Sequence, residues 1–439
     1  MRLFLPSLIL VSSLLLIGCQ TTKTTTQNAV TNPSHLAPPV RTSSYSIPSS
    51  SGLDNIVSLA MKHHPSLVAA QQKIHRLQAR VPQARTLPDP KARISAGSLA
   101  ETAAGRTSAM AGIEQQIPFP GKRRAAAQAA QKEADAARAE LENLKLLIAE
   151  RIRIAYWNYY LAYQNQRINR DSKSVLKTIQ EVVQARVKAN KATQADILRV
   201  STEISKVDQQ LIAALQQVSS ARATLNSLLN RPAGAHLPYP KRSSVPSQGS
   251  LSKLIARAEA THPTVRAGQA KMTAFQHRLR KARLDAYPDF LIGAQHAWVS
   301  DSGLSPVANG KDQTMFTLGV TIPLWQKPRK ARVREASSGV AEMRANVATS
   351  RSELRLRIED AWFRAKSSRE MITLFDQRLI PDAKQAHDLS LQAYSSGTQS
   401  FVDVLDTWRL LLKFQLQQEG NRASLGKASA SLKSAAAIR

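Results

Sequence analysis

The chain has 439 residues, enough for two or three ordinary domains or one large elongated one. Its 61 Lys and Arg outnumber 31 Asp and Glu, a formal charge of +30, with 5% aromatics and only 17 Gly. A single-chain membrane β-barrel, which needs many alternating strands, turns and aromatic girdles, does not fit. No apolar run beyond the extreme N-terminus is long enough for a spanning helix, so a polytopic helical membrane protein is excluded. One cysteine excludes a disulfide framework and a Cys-rich metal site.

At the N-terminus, Arg2 precedes a mostly apolar stretch running from Leu3 to Ile17, followed by Gly18 and Cys19. A short positive start, an apolar core and a small residue before a cut site describe an export signal over residues 1–18. The sole cysteine ends it, which resembles the lipobox of bacterial lipoproteins, where Cys19 would be acylated. A plain signal peptide with an incidental Cys is the alternative. Gln20 follows instead of the Asp that retains such lipoproteins at the inner membrane, so sorting to the outer membrane is expected. Residues 19–50 read as the acylated Cys and a Thr-, Ser- and Pro-rich tether.

The rest of the chain repeats itself, as residues 51–248 and 249–439. Leu53 and His64-Pro65 match Leu251 and His262-Pro263; Pro88-Asp89 matches Pro288-Asp289; Ile117-Pro118-Phe119 matches Ile322-Pro323-Leu324. Ala155-Tyr156-Trp157 matches Ala361-Trp362-Phe363, and the stretch from Val187 through Asn190 to Asp196 matches that from Tyr394 through Gly397 to Asp403. The offset drifts only from 198 to 207, so one supersecondary unit is used twice.

In chain order, each copy opens with a helix, over 53–84 and 251–284. Two period-two segments follow, at about 90–118 and 288–323; Phe316, Leu318, Val320 and Ile322 alternate with Thr317, Gly319 and Thr321. Each segment has about the ten residues that a tilted strand needs to cross a bilayer. A long helical hairpin completes each copy, over 122–230 and 331–436. Along the first return helix, Ile197, Val200, Ile204, Val207, Leu211, Ala214, Val218, Ala221, Leu225 and Leu228 step by three and four, the 3.5-residue period of coiled-coil packing. The 122–188 helix would span about 100 Å at 1.5 Å per residue. Four strands cannot close a barrel in lipid, where an open edge leaves backbone groups unsatisfied. Three copies would give twelve strands.

These features together resemble the TolC family of outer-membrane efflux proteins, over about residues 53–436. The residues that carry the resemblance are Gln116-Ile117-Pro118-Phe119-Pro120-Gly121-Lys122, Val320-Thr321-Ile322-Pro323-Leu324, Tyr394-Ser395-Ser396-Gly397 and Phe401-Val402-Asp403-Val404-Leu405-Asp406. Leu87-Pro88-Asp89-Pro90 and the run from Gly112 to Lys122 look most like the branch that serves heavy-metal efflux pumps. The resemblance implies a mainly α fold with a small membrane β part: a trimeric twelve-stranded barrel continued by a periplasmic α-helical tunnel. It implies an exit duct of a tripartite pump, working with a periplasmic adaptor and an inner-membrane transporter and exporting metal cations, drugs or a polypeptide. A non-channel coiled-coil lipoprotein scaffold is the reading from another class, and the four amphipathic strands argue against it.

Within that resemblance Asp403 and Asp406 ring the periplasmic mouth, where carboxylates brought together by three-fold symmetry favour cations. Arg199 stands where the second copy has Asp406 and would pair with it across neighbouring tips. Asn190 and Gly397 mark the tips where the adaptor docks. Thr193 with Asp196 and Ser400 with Asp403 also have the spacing of helix capping boxes. His63-His64 is set aside as a metal pair because adjacent residues diverge on a helix. No phosphate loop, nucleophile elbow or zinc-ligand spacing stands out, so no enzyme, cofactor or resident metal is expected. Export places the basic chain away from nucleic acid; its charge is expected to meet lipopolysaccharide or acidic partners.

Overall fold

A computed structural model describes residues 45–48, 51–97, 105–247, 249–301 and 310–438. The predicted export signal and Cys19 lie outside them. The first copy comprises α1 (Leu53–His63), α2 (Pro65–Gln78), α3 (Arg80–Arg85), β1 (Lys91–Ala96), β2 (Arg106–Ile117), α4 (Lys122–Lys188) and α5 (Gln194–Leu228). The second comprises α6 (Leu251–Thr261), α7 (Pro263–Leu284), β3 (Asp289–Ser300), β4 (Gln313–Thr321), α8 (Gln326–Leu374), a π-helical turn (Phe375–Leu379), α9 (Ile380–Ser396) and α10 (Phe401–Ala435).

The four strands form one antiparallel sheet in the order β1-β2-β3-β4. Its register separates two faces. Ala92, Ile113, Ala294 and Phe316 share one row, and Ile292 with Leu318 and Phe290 with Val320 extend the same face. On the opposite face, Arg93 lies 3.7 Å from Glu114, in rows that also carry Gln295 and Gly112. The apolar face is bare: Phe316 is 83% exposed and Leu318 77%. Among the described residues β1 pairs only with β2 and β4 only with β3, so each keeps an unpaired edge there. No described helix is long and apolar enough to cross a membrane.

The two strand-to-helix junctions are fastened to each other. Asp289 accepts the Phe119 N–H at 2.7 Å and the Lys122 ammonium at 2.8 Å, and Lys122 also donates to the Tyr287 carbonyl. Phe119 and Tyr287 stack at 4.7 Å. Gly121 enters α4 at φ 95°, a left-handed turn that suits glycine. The repeated Ile-Pro and Pro-Asp motifs are thus the corner where sheet becomes helix.

Below the sheet the helices pack side by side. The predicted coiled-coil stripe is the buried one: Val200, Val207, Ala214 and Leu225 are all under 5% exposed. Ile148, Ile152, Ala155 and Tyr159 of α4 join Leu225, Leu229 and Leu237 in one cluster. Leu176, Ile179 and Val183 meet Val200, Phe401, Val404 and Trp408 in another, towards the tips.

The structure divides three helices that the sequence reads as continuous. The 53–84 helix breaks at His64 and Ala79, and the 251–284 helix breaks at His262. Both histidines precede a proline, which disfavours helical backbone in the residue before it; their ψ angles are 118° and 135°. Each then caps the next helix, with Nδ1 accepting the N–H of Ser66 or Thr264. The third interruption, in the first helix of the 331–436 hairpin, is the π turn before Pro381. Proline has no N–H to give and its ring crowds the carbonyl four residues back. The ladder adapts, and the Ile380 N–H reaches the Phe375 carbonyl.

Gly426 of α10 lies against the indole of Trp157, where a Cβ would stand 2.0 Å from a ring atom, whereas a Cβ on Gly420 meets nothing within 4 Å. Gly426→Ala is expected to destabilise the protein by about 1–3 kcal/mol through overpacking. Gly420→Ala is expected to stabilise by up to about 1 kcal/mol through helix propensity. Thermal unfolding followed by circular dichroism checks the opposite signs.

Candidate functional site

The site residues expected from the sequence lie where the two helical hairpins turn, about 100 Å of helix away from the sheet along α4. Both turns are built alike. Asn190 has φ 55° and Gly397 φ 90°, the left-handed conformation that these residue types tolerate. Lys191 N–H reaches the Arg186 carbonyl at 2.8 Å, and Thr398 N–H reaches the Ala393 carbonyl at 3.0 Å, closing matching C-terminal caps.

Both capping boxes form. Asp196 accepts the Thr193 N–H at 3.1 Å and its hydroxyl at 2.9 Å. Asp403 accepts the Ser400 N–H at 3.2 Å and hydroxyl at 2.7 Å, while Ser400 Oγ accepts the Asp403 N–H. Asp403 is therefore engaged in starting α10.

Asp406 is 63% exposed and pairs with Arg409, one turn on, at 2.9 Å. Arg199 pairs with Asp196 at 3.3 Å, also within its own helix. The two do not meet in this chain, because each has an opposite charge nearer along its own helix. Arg409 also binds Glu203, tying α10 to α5. Lys206 shares that carboxylate at 2.8 Å. Arg186 supplies a second tie: it lies over the Tyr394 ring at 4.6 Å and donates to the Tyr394 and Ser395 carbonyls at the end of α9.

Glu203, Arg409 and Arg186 escape a motif reading. Their only sequence signal is an acid beside the coiled-coil stripe and bases near the turns, which look like solvated faces. Only the packing of one hairpin against the other brings them together. Glu203 is 6% exposed. Burial pushes its carboxyl towards the neutral form, but the hydrogen bonds and charges of Arg409 and Lys206 outweigh this and hold its pKa below the ordinary value. His64, of the pair set aside as ligands, is a helix cap, and His63 stacks on Tyr45 at 4.6 Å. Among the described residues no three His, Cys, Asp or Glu side chains converge where a metal ion would sit.

The paired amphipathic strands, the duplicated long hairpins and the matched tips define a TolC-like outer-membrane channel fold. The chain belongs to the outer membrane efflux protein family, which it matches over residues 56–231 and 254–437. It is 24% identical over 409 residues to the pyoverdine export outer membrane protein OpmQ of Pseudomonas putida, covering 87% of this chain and 84% of that one. It is 22% identical over 373 residues to the cobalt-zinc-cadmium resistance protein CzcC of Cupriavidus metallidurans, covering 84% and 85%. Among solved structures, the outer membrane protein VceC of Vibrio cholerae superposes with a TM-score of 0.72 at 20% identity, over 88% of this chain and 95% of that one. CusC superposes with 0.73 at 16% identity, over 91% and 99%.

A lowered folded-state pKa contributes stability that is present above the unfolded value and lost as pH falls through the folded one. The Glu203–Arg409 tie is therefore expected to hold at neutral pH and to loosen on acidification below about pH 4.5. Hydrogen exchange of amides 190–204 and 397–409 should accelerate there in the wild type and show no such step in Glu203→Gln. Asp403→Ala is expected to cost about 0.5–2 kcal/mol of tip stability through the lost cap. Asp406→Ala should cost far less, because an exposed ion pair is worth at most about 1 kcal/mol.

Proposed function

We propose that three copies of this chain form the passive exit duct of a tripartite efflux pump in the bacterial outer membrane. The observation that carries this is the sheet: four strands with one bare apolar face and two unpaired edges, continuous with a layer of long helices. In hydrocarbon such edges must pair, and three copies close a barrel of twelve strands. The helices support the same assembly. Leu198, Ile212 and Leu215 of α5, with Leu356 and Phe363 of α8 and Leu389 of α9, are exposed in the single chain and offer faces for a neighbouring copy. A coiled-coil scaffold has no use for the sheet. In this reading the tips at Asn190 and Gly397 receive a periplasmic adaptor, an inner-membrane transporter supplies the driving force, and the duct itself performs no catalysis and needs no cofactor. Acylation at Cys19 adds a lipid anchor.

Export of heavy-metal cations is the cargo reading, supported by Leu87-Pro88-Asp89-Pro90 and by the similarity to CzcC. The similarity to OpmQ supports a second cargo reading, a duct for a different solute. The tips bear on both. Asp406 is paired with Arg409 and Asp196 with Arg199, so the mouth carries bases beside its acids. A mouth of this kind sieves weakly by charge, and cargo choice falls to the upstream transporter.

Native mass spectrometry of the detergent-purified protein is expected to give three chains, and a stable monomer would refute the assembly. Gly397→Leu should trimerise normally and lose export, since a left-handed residue with a Cβ costs roughly 1–2 kcal/mol, too little to unfold the assembly but enough to disturb the docking turn. Asp403→Ala with Asp406→Ala leaves Arg199 and Arg409 at the mouth; reversal potentials in planar bilayers should shift towards anions. Cys19→Ser should abolish labelling by a radioactive fatty acid, and unchanged labelling would exclude acylation at that thiol.

A further inference from the structure

The basic excess is concentrated at one level of the fold. Four helix ends adjoin the four strands: the end of α3, the start of α4, the end of α7 and the start of α8. Residues 80–91, 119–124, 280–289 and 323–334 hold fourteen Lys and Arg against three Asp. Two of those acids are already used: Asp289 holds Lys122 at 2.8 Å, and Asp285 lies 3.3 Å from Lys281 and 3.9 Å from Lys122. Arg85, Arg124, Arg283, Lys327, Lys330 and Arg334 are exposed and have no ion pair among the described residues.

The opposite ends of the strands carry no such excess. Residues 97–106 and 300–312 hold Arg106 and Lys311 against Glu101, Asp301 and Asp312. Attraction to lipopolysaccharide, which lies on the loop side of the membrane, therefore does not account for the charge. On the sheet side of the basic collar the apolar row of β4 continues past the strand, through Ile322 and Leu324 to Trp325, which is 78% exposed. The Phe119–Tyr287 stack lies at the same level. An aromatic and aliphatic belt beside a band of unpaired cations is the profile of a surface at a bilayer interface.

In a closed barrel the β4 edge would meet the β1 edge of the next copy, setting the start of α8 beside the neighbour's α3 and its approach to β1, where Arg80, Arg85 and Lys91 outnumber Asp89. We propose that this collar binds the phosphate headgroups of anionic phospholipids in the leaflet on the helical side of the membrane. The inference rests on the outer-membrane duct reading. It makes the collar a vertical stop: the belt enters the hydrocarbon edge, the cations hold phosphates, and the helical tunnel begins at a fixed depth.

The test uses the full protein in nanodiscs of equal phosphatidylglycerol and phosphatidylcholine, with retained lipids counted by native mass spectrometry after extraction. Phosphatidylglycerol should be enriched roughly fivefold, the factor for about 1 kcal/mol of attraction at a basic side chain, and high salt should erase the enrichment. The variant Lys327→Gln, Lys330→Gln, Arg332→Gln, Arg334→Gln should lose it while keeping trimer mass and conductance, and Lys311→Gln should not. If the fourfold variant fails to assemble, the pairs 327/330 and 332/334 are tested separately, each with a partial loss expected. Equal retention of the two lipids by the wild type would overturn the proposal. So would enrichment that survives these changes and Arg85→Gln, Arg124→Gln, Arg283→Gln, or unchanged retention with an altered ion preference, which would put the cations in the lumen. A wild-type chain that retains phosphatidylglycerol without forming a conducting trimer would support the headgroup site and overturn the duct.

Discussion

A backbone N–H or carbonyl in hydrocarbon has no water to bond, and this constraint organises the molecule. The sheet satisfies its interior through three antiparallel ladders and leaves the outer edges of β1 and β4 open. In the proposed assembly neighbouring copies supply the donors and acceptors, and closure by three would fix the symmetry of everything below. The strands hand directly to helices at Lys122 and Gln326, so the sheet's order becomes the helices' order. The Asp289–Lys122 contact, with the Phe119–Tyr287 stack beside it, fastens the two junctions together.

Duplication supplies two hairpins of the same design, and the differences between them lie where backbone chemistry requires. Both copies use His-Pro in the same way, as a break and a cap, so the repeated histidines are architectural. Only the second copy carries a proline within its long descending helix, and only there does the ladder shift to π spacing. Arg422 and Gln418 of α10 bind Asp376 inside that turn, which secures the irregular segment to its neighbour. Close approach elsewhere depends on small residues, as where Gly426 admits the Trp157 ring.

At the tips, local and tertiary demands share the same few charges. Asp196 and Asp403 begin helices, Arg186 covers the carbonyls that end α9, and Arg409 joins the hairpins through Glu203. The tips are thus a network of paired charges held by two packed helix turns. Among these bases Arg409 alone bridges two acids, Glu203 and Asp406, whereas Arg199 and Lys206 each have one acidic partner. At the sheet end of the helices the collar has the reverse character: Lys122 and Lys281 are paired with acids, but Arg85, Arg124, Arg283, Lys327, Lys330 and Arg334 have no ion pair among the described residues.

Much of the architecture is legible in the sequence because it rests on local rules. The 3.5-residue stripe from Ile197 to Leu228, the period-two run from Phe316 to Ile322 and the left-handed positions Asn190 and Gly397 follow from side-chain type and spacing alone. The duplication carries each of them from one copy to the other. The breaks at His64 and His262 are also local, and continuous helices replace them only when propensity outweighs the residue before proline. The pairing of β2 with β3 and the roles of Glu203, Arg186 and Arg409 are not local. They join residues about two hundred positions apart, which approach only when the two copies pack, and a buried Glu or a bridging Arg looks like any surface charge until its partner arrives. The sequence by itself determined which segments are helix, strand and turn, because those choices are made within a few residues. Only the tertiary structure decided which charges are paired at the tips and which stay unpaired at the collar, because that depends on what each side chain faces across the fold.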